Sequence, residues 1–369
     1  MGKGPHRATS RTRRIASTWW LALPLACALL SVTGIAGFAT VAAQHGAEAA
    51  PAPTVITHTV ITHTVATHTV ATRQPSPALS GGRGSIVVPS PPAGWTTRVV
   101  SMVVQGRSRY YLVARPTTIT TPSLPVLIVL HGRNMTPAAM VKASGFLSVV
   151  GQAVVVYPAG LGESWNAGYC CGKAHSSGVD DVAFIDAVMR SVLATQPGTS
   201  ANLVYLAGFS NGGRMAYRMA CADPDAFAGV AAVEAVAVST CTGSHPVPLV
   251  EIASTGDPLL TLSDRQEPKM IAGHEEVTVQ SLMTQWRVLE GCRTSTTASS
   301  FPAMTITEWT RCGPGGRVSL VEYQGGHHAW PRGGPGTPSA QTVIWGLFRD
   351  RPIGEGGVPT SRPSPLSVR

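Results

Sequence analysis

Leu203-Val204-Tyr205-Leu206-Ala207-Gly208-Phe209-Ser210-Asn211-Gly212-Gly213 is the stretch on which the reading of this chain turns. Its first five residues form a continuous apolar run, the pattern of a strand buried on both faces of a parallel sheet. Gly213–Cys221 then reads as a helix. Between them stands G-x-S-x-G. A strand-to-helix turn that tight leaves room only for small residues beside the serine, whose hydroxyl is pushed above the sheet. The start of the helix brings backbone N–H groups and the positive end of its dipole to the place where an oxyanion would develop. In a chain with 39 glycines the pentapeptide can arise by chance. The strand before it and the helix after it make Ser210 a candidate nucleophile.

A serine hydroxyl needs a base, and the base needs a carboxylate to orient it. Behind a strand–serine–helix turn the acid and then the histidine follow in chain order. His245, His274, His327 and His328 are the histidines after Ser210. His245 precedes a strand in a Ser/Pro context and His274 opens a polar helix, so both read as surface residues. His327 and His328 sit in Gly325–Pro331, directly after the last apolar strand pattern, where a catalytic loop belongs. For the acid, Leu249–Ala253 supplies a strand and Ser254-Thr255-Gly256 a small-residue turn leading to Asp257, with Asp264 as the nearby rival. Asp180, Asp181 and Asp186 precede the serine and read as helix cap and surface. A second oxyanion donor is expected after another buried strand, and Leu127-Ile128-Val129-Leu130-His131-Gly132-Arg133 fits. The backbone N–H groups of Arg133 and Asn211 are the candidate pair, and His131 reads as a structural residue of the loop.

Outward from this core, apolar runs alternate with helical patterns. Strands are expected at Arg98–Val104, Tyr110–Ala114, Val126–Leu130, Ala153–Tyr157, Leu203–Ala207, Gly229–Val236, Pro248–Ala253 and Arg317–Tyr323. Asp180 and Asp181 can cap a helix to about Thr195, with Val182, Ile185, Val188, Met189 and Val192 on one face. Another helix is expected over Glu275–Leu289. The alternation predicts an α/β architecture, a mainly parallel sheet with flanking helices, in a single catalytic domain over residues 95–350.

The ends of the chain differ in kind. Lys3, Arg7, Arg11, Arg13 and Arg14 precede an uncharged run from Ile15 to Ala43, the pattern of an export signal, with a permanent membrane anchor as the alternative for residues 1–43. Residues 44–94 read as a Thr/Pro-rich linker carrying the repeat VITHTVITHTVATHTVAT (55–72). His58, His63 and His68 recur in it every five residues, and a solvated repeat is favoured over a metal site. Residues 351–369 read as a disordered tail. Net charge is +9, and five of those positive charges lie before Ile15, so the remainder carries +4 with no basic run. Nucleic-acid binding gains no support; membrane contact is expected only through an uncleaved N-terminal segment. Apart from Cys27 in the leader, six cysteines remain, an even set that suggests disulfides in an exported chain. Cys221 with Cys241 and Cys292 with Cys312 are the local pairings, each worth about 3 kcal/mol. Cys170 and Cys171 are then left adjacent. No Cys/His spacing suits structural zinc.

Taken together, these segments resemble the secreted esterases named for poly(3-hydroxybutyrate) depolymerase, a family of α/β-hydrolases overlapping feruloyl and acetylxylan esterases. The resemblance runs from about 97 to 349. It rests on Gly106–Leu112, Leu130-His131-Gly132, Trp165–Gly172, Val179–Val182, Ala207–Gly213, Gly256-Asp257-Pro258 and Gly325–Pro331. Matching Trp330-Pro331 to the family's G-G-G-H-T-W-P implies His328 as the catalytic histidine and puts His327 where a glycine usually stands. The family's H-G-T-x-D is altered too, Ala253-Ser254 replacing His-Gly, and Arg133 replaces a small residue or Cys. The implied mechanism is acyl transfer: His328 deprotonates Ser210, Asp257 holds the imidazole, and water releases the acyl-enzyme, with no metal or organic cofactor. Trp165, Tyr169, His327 and Trp330 are candidates to line the pocket, with core packing as the competing role for the aromatic residues. The expected partner is an ester (small molecule, oligomer or polymer), met outside the cell or at its surface. The alternatives are a catalytically silent surface binding protein on the same fold, or a peptidase or lipase.

Overall fold

The computed structural model describes residues 86–239, 241, 247–293, 296–309 and 311–349. The leader, the 55–72 repeat, the tail from 351 and His245 lie outside the described residues. Residues 86–94 contain neither helix nor strand.

Two kinds of apolar pattern build the sheet. At the edge, β1 (Trp95–Val104) alternates between exposed and half-buried positions and pairs antiparallel with β2 (Arg107–Pro116). In the middle, β3 (Leu124–Leu130), β4 (Val154–Pro158), β6 (Gly229–Val233) and β7 (Leu249–Ser254) are buried at every position. Strands with both faces covered by helices need such continuous runs. β5 (Thr199–Phe209) is buried from Val204 onward. Further on lie two-residue strands β8 (Met270–Ile271) and β9 (His274–Glu275), then β10 (Thr296–Phe301), β11 (Met304–Trp309) and β12 (Val318–Tyr323). The large sheet runs β1-β2-β4-β3-β5-β6-β7-β12-β11-β10. Its middle, from β4 to β12, is parallel, and antiparallel strands flank it at both ends.

Helices cover each face over a separate apolar core. On one face α3 (Asp181–Thr195), α4 (Asn211–Ala222) and α5 (Val279–Leu289) contribute Phe184, Val188, Met215, Tyr217, Leu282 and Trp286. On the other, α1 (Pro137–Ser144) and α6 (Ala340–Phe348) contribute Met140, Val343, Ile344 and Trp345. α2 (Gly172–Ser176) is a single turn. Among the described residues no helix is long and apolar enough to cross a membrane.

The eight expected strands all form, with ends shifted by a few residues; Leu203–Ala207 is the furthest off, running from Thr199 to Phe209, and Gly229–Val236 stops at Val233. Three expectations need correction. The helix expected from Glu275 begins at Val279, because the Thr278 hydroxyl caps it by accepting from the Ser281 N–H, while His274–Glu275 pairs with Met270–Ile271. The β10–β11 hairpin was not anticipated. Asp181 is not a surface residue: it is fully buried and receives the Arg109 guanidinium at 2.8 Å and the Asn166 N–H at 2.8 Å. Asp180 does cap α3, accepting from the Ala183 N–H. The disulfides are Cys221–Cys241, Cys292–Cys312 and the adjacent Cys170–Cys171.

Arg109 lies on β2, over the Phe184 ring, and also donates to the Ala159 carbonyl. Its pairing with Asp181 therefore ties β2, the strand next to the edge, to the start of α3. Arg109→Met strands a buried carboxylate and is expected to lower unfolding free energy by about 3–5 kcal/mol. Urea denaturation measures this; a loss under ~1 kcal/mol would mean the pair contributes no more than an exposed one.

Candidate active site

Backbone contact forces the serine into place. Ser210 has φ 52° and ψ −117°, a region a non-glycine residue enters only when its surroundings over-determine it. The cause is the approach of α4 to β5. A Cβ on Gly208 would lie 2.1 Å from the Gly212 carbonyl oxygen, and one on Gly212 would lie 2.5 Å from that of Leu130. Only glycine fits at either position. The Ser210 N–H donates to the Val233 carbonyl, and its carbonyl accepts from Arg214 as α4 begins. The hydroxyl is left half-buried at the C-terminal edge of the parallel strands, where ligands bind in open α/β sheets.

The histidine and acid arrive on two loops that are stitched together. The Thr255 N–H donates to the Tyr323 carbonyl, Gly256 donates to Gly325, and Gly325 donates to the Thr255 hydroxyl. The loop after β7 thus carries Asp257 to the loop after β12, which carries His328. Ser210 Oγ lies 2.8 Å from His328 Nε2, and His328 Nδ1 lies 2.7 Å from Asp257 Oδ2. Asp257 Oδ1 accepts from the Leu259 N–H at 2.7 Å. Burial alone would raise the Asp257 carboxyl; the hydrogen bonds from His328, Glu234 and Leu259 outweigh it and hold the group below the usual carboxylate range. A carboxylate that stays ionised fixes Nδ1 as the protonated nitrogen and frees Nε2 to accept the serine proton.

Asn211 and Arg133 line the same cleft as Ser210 and His328. Asn211 is locked by two bonds to the Trp165 backbone, accepting from its N–H at 2.7 Å and donating to its carbonyl at 3.0 Å. His131 is a structural residue: Nε2 accepts from the Gly160 N–H at 2.9 Å. Burial lowers its pKa to about 4, which makes it a weak proton acceptor, and its Nε2 is already taken by the backbone.

The remaining expected residues divide. The cleft holding Ser210 has a volume of about 840 Å³ and includes Tyr169 and the Cys170–Cys171 disulfide. Trp165 does not line it: the indole is fully buried, stacks on Phe184 and donates to the His131 carbonyl at 2.8 Å. Its size and its need for one polar partner put it in the core. Trp330 is also buried, packed on Phe146 and Phe209; with His327 it borders a second cavity of about 690 Å³ that contains His328 but not Ser210. Asp264, the rival acid, is exposed and accepts from the Thr278 hydroxyl. His274 is exposed and stacked on Tyr169.

Two neighbours escaped sequence reasoning. Arg214 of α4 lines the cleft and is paired with Glu276, which is 1% exposed. Glu234, immediately after β6, is 1% exposed and bonded to Ser254 and Asp257. Neither belongs to a motif, and a carboxylate inside the apolar run Val230–Val238 gives no periodic signal.

A mostly parallel sheet with helices on both faces, a strained serine between the central strand and its helix, and acid and histidine on later loops together define an α/β-hydrolase fold. No family model matches the chain. It is 31% identical over 265 residues to NocK of Nocardia uniformis subsp. tsuyamanensis, provisionally named an esterase, covering 66% of this chain and 76% of NocK. It is 29% identical over 199 residues to feruloyl esterase C of Emericella nidulans, over 54% of this chain and 65% of that one, just under two thirds of its length. Among solved structures, an acetyl xylan esterase from Aspergillus awamori covers 68% of this chain and 98% of its own at TM-score 0.48 and 12% identity. The chain belongs to the same family of α/β-hydrolase esterases as NocK.

Gly212→Ala drives a Cβ into backbone and is expected to cost about 3 kcal/mol, the upper end for overpacking. Gly334→Ala, with open space around its Cβ, should stay within about 0.5 kcal/mol. Chemical denaturation of the two variants checks this, and equal stabilities would remove the steric account of the turn.

Proposed function

We propose that this protein is an exported serine esterase that cleaves carboxylic esters through Ser210, His328 and Asp257. The observation that carries the reading is the unbroken hydrogen-bond chain from Ser210 Oγ through His328 to Asp257. As Ser210 attacks the ester carbonyl, His328 Nε2 takes its proton, and Asp257 stabilises the imidazolium that forms. The N–H groups of Arg133 and Asn211 receive the oxyanion, a donation worth about 3 kcal/mol each in the transition state. His328 passes its proton to the departing alcohol and then activates the water that releases the acid. These three side chains need no metal or organic cofactor.

Candidate substrates are short polyhydroxyalkanoates and feruloyl or acetyl esters. Among the described residues lining the cleft are Arg133, His175, Arg214 and Lys269, and no Asp or Glu. That lining suits neutral or negatively charged acyl and alcohol groups over cationic ones. Export rests on the leader, which leaves the enzyme either extracellular or tethered at the cell surface. The three disulfides fit an oxidising compartment. Residues 95–350 would be the catalytic domain, with 44–94 as linker and 351–369 as tail.

Hydrolysis of p-nitrophenyl acetate, butyrate and octanoate by the purified protein tests the proposal. Ser210→Ala is expected to lower kcat by about 10⁴-fold or more while the protein stays folded. Turnover that survives the substitution would place the chemistry elsewhere.

A further inference from the structure

Beyond the serine, histidine and aspartate lies a second carboxyl that their chemistry does not require. Glu234 follows β6 directly, at φ 50°, with its N–H held by the Ile252 carbonyl. This left-handed conformation, costly for a residue with a Cβ, turns its side chain towards the acid loop. There Glu234 Oε1 accepts from the Ser254 hydroxyl at 2.5 Å and Oε2 accepts from the Ser254 N–H at 3.0 Å. The same carboxyl interacts with that of Asp257, whose N–H donates to the Ser254 carbonyl at 3.1 Å, so that Ser254 ties the two acids together. A bond between two carboxyl groups needs a proton on one of them. Asp257 is held ionised by His328, so the proton belongs to Glu234.

The sequence around this contact departs from the family pattern in a way that fits. Where H-G-T-x-D is usual, this chain has Ala253-Ser254-Thr255-Gly256-Asp257. Ser254 supplies two of the donors that hold Glu234, and its hydroxyl fills the space beside Gly326, where a Cβ would lie 3.0 Å from Ser254 Oγ. A glycine at 254 would retain the N–H donor and lose the hydroxyl.

We propose that Glu234 is a positioning residue for Asp257, its neutral carboxyl donating to the aspartate and extending the chain to Ser210–His328–Asp257–Glu234. The proposal rests on the reading of Ser210 as nucleophile. No proton passes along the extension: Glu234 keeps its O–H throughout, and its bond, with those from His328 and Leu259, stops Asp257 from rotating as the imidazolium forms. Burial, and next the bond to Asp257, push the Glu234 carboxyl up to about 8, while the two bonds from Ser254 oppose the shift. Asp257 faces it from the loop after β7, with His328 bonded to that aspartate. Glu251 of β7 and Tyr323 of β12 also interact with it, and both are themselves raised, first by burial and further by Glu234. No cation among these neighbours compensates a charge on Glu234. Its ionisation therefore sets two buried carboxylates against each other and withdraws the donor from Asp257.

The test is the pH profile of p-nitrophenyl acetate hydrolysis, corrected for background, for the parent, Glu234→Gln, Glu234→Ala and Ser254→Gly. In the parent, kcat is expected to fall at least tenfold between pH 7 and 9.5. Glu234→Gln keeps a donor and cannot ionise, so its ratio of kcat at pH 9.5 to that at pH 7 should return to near one. Glu234→Ala should lower kcat at pH 7 about tenfold with KM changed less than twofold. Ser254→Gly should move the alkaline midpoint upward, because it removes a donor that favours the charged form. A readout independent of turnover is Tm. A carboxyl raised from near 4.5 to about 8 contributes its full stability below pH 4.5 and loses it as pH rises through 8. That decline should be present in the parent and absent from Glu234→Gln. An alkaline fall that persists in Glu234→Gln, or a parent profile flat to pH 9.5, overturns the proposal and leaves the esterase reading intact. A folded parent that neither hydrolyses the ester nor reacts with a fluorophosphonate overturns that reading, and this proposal with it.

Discussion

The contact between Gly208 and Gly212, closer than any side chain permits, governs the rest of the molecule. It brings the first turn of α4 against the end of β5, and Ser210, caught between them, is held with its hydroxyl above the sheet. The cost of one strained residue is offset by the packing of α4, whose Met215, Ala216, Tyr217 and Met219 are all buried. Position follows from that packing. The serine stands at the edge where β6 and β7 also end, so the loops that leave those strands converge on it. Gly213 meets Ala235 across the same junction, a Cβ there falling 2.7 Å from that of Ala235. The helix is thereby fitted to the segment that carries Glu234.

Electrostatics then separates groups of like chemistry. Asp257 and Glu234 are both buried carboxyls, and their environments push them in opposite directions. Hydrogen bonds from His328 and its neighbours hold Asp257 below the usual carboxylate range, while burial first and Asp257 next push Glu234 up to about 8. His131 and His328 divide in the same way. The former is buried under Trp165 with its Nε2 occupied by a backbone N–H, and the latter keeps Nε2 facing Ser210 with its side chain 22% exposed. The two carboxyls are thus shifted in opposite directions, and the two histidines differ in what their Nε2 atoms meet.

The parallel centre of the sheet was legible because burial on both faces demands unbroken apolar runs, and Leu203–Ala207 and Val126–Leu130 are such runs. The β10–β11 hairpin was not. Its first strand, Thr296–Phe301, is polar, and its pairing follows from β11 lying beside β12 and not from any alternation of its own. α6 escaped for the opposite reason, being apolar on nearly every face, so that period 3.6 has nothing to contrast with. Ser210, Asp257 and His328 could be singled out because tight turns put small residues close to each: Gly208 and Gly212 around the serine, Ser254-Thr255-Gly256 before the aspartate and Gly325-Gly326 before the histidines. Trp165 was misplaced because a conspicuous aromatic in a recognisable segment suggests a pocket, whereas its bond to the His131 carbonyl makes it a brace behind the loop after β3. Glu234 left no trace in the sequence, since what defines it is a neighbour 23 positions away.

The central claim is that this geometry makes Ser210 chemically different from every other serine in the chain. Reaction of the native protein with a fluorophosphonate, followed by peptide mass mapping, tests it most directly. The account predicts one adduct, on Ser210, formed by the folded protein and lost on unfolding or in His328→Ala. Labelling elsewhere, or a Ser210 adduct formed equally well without His328, would contradict it.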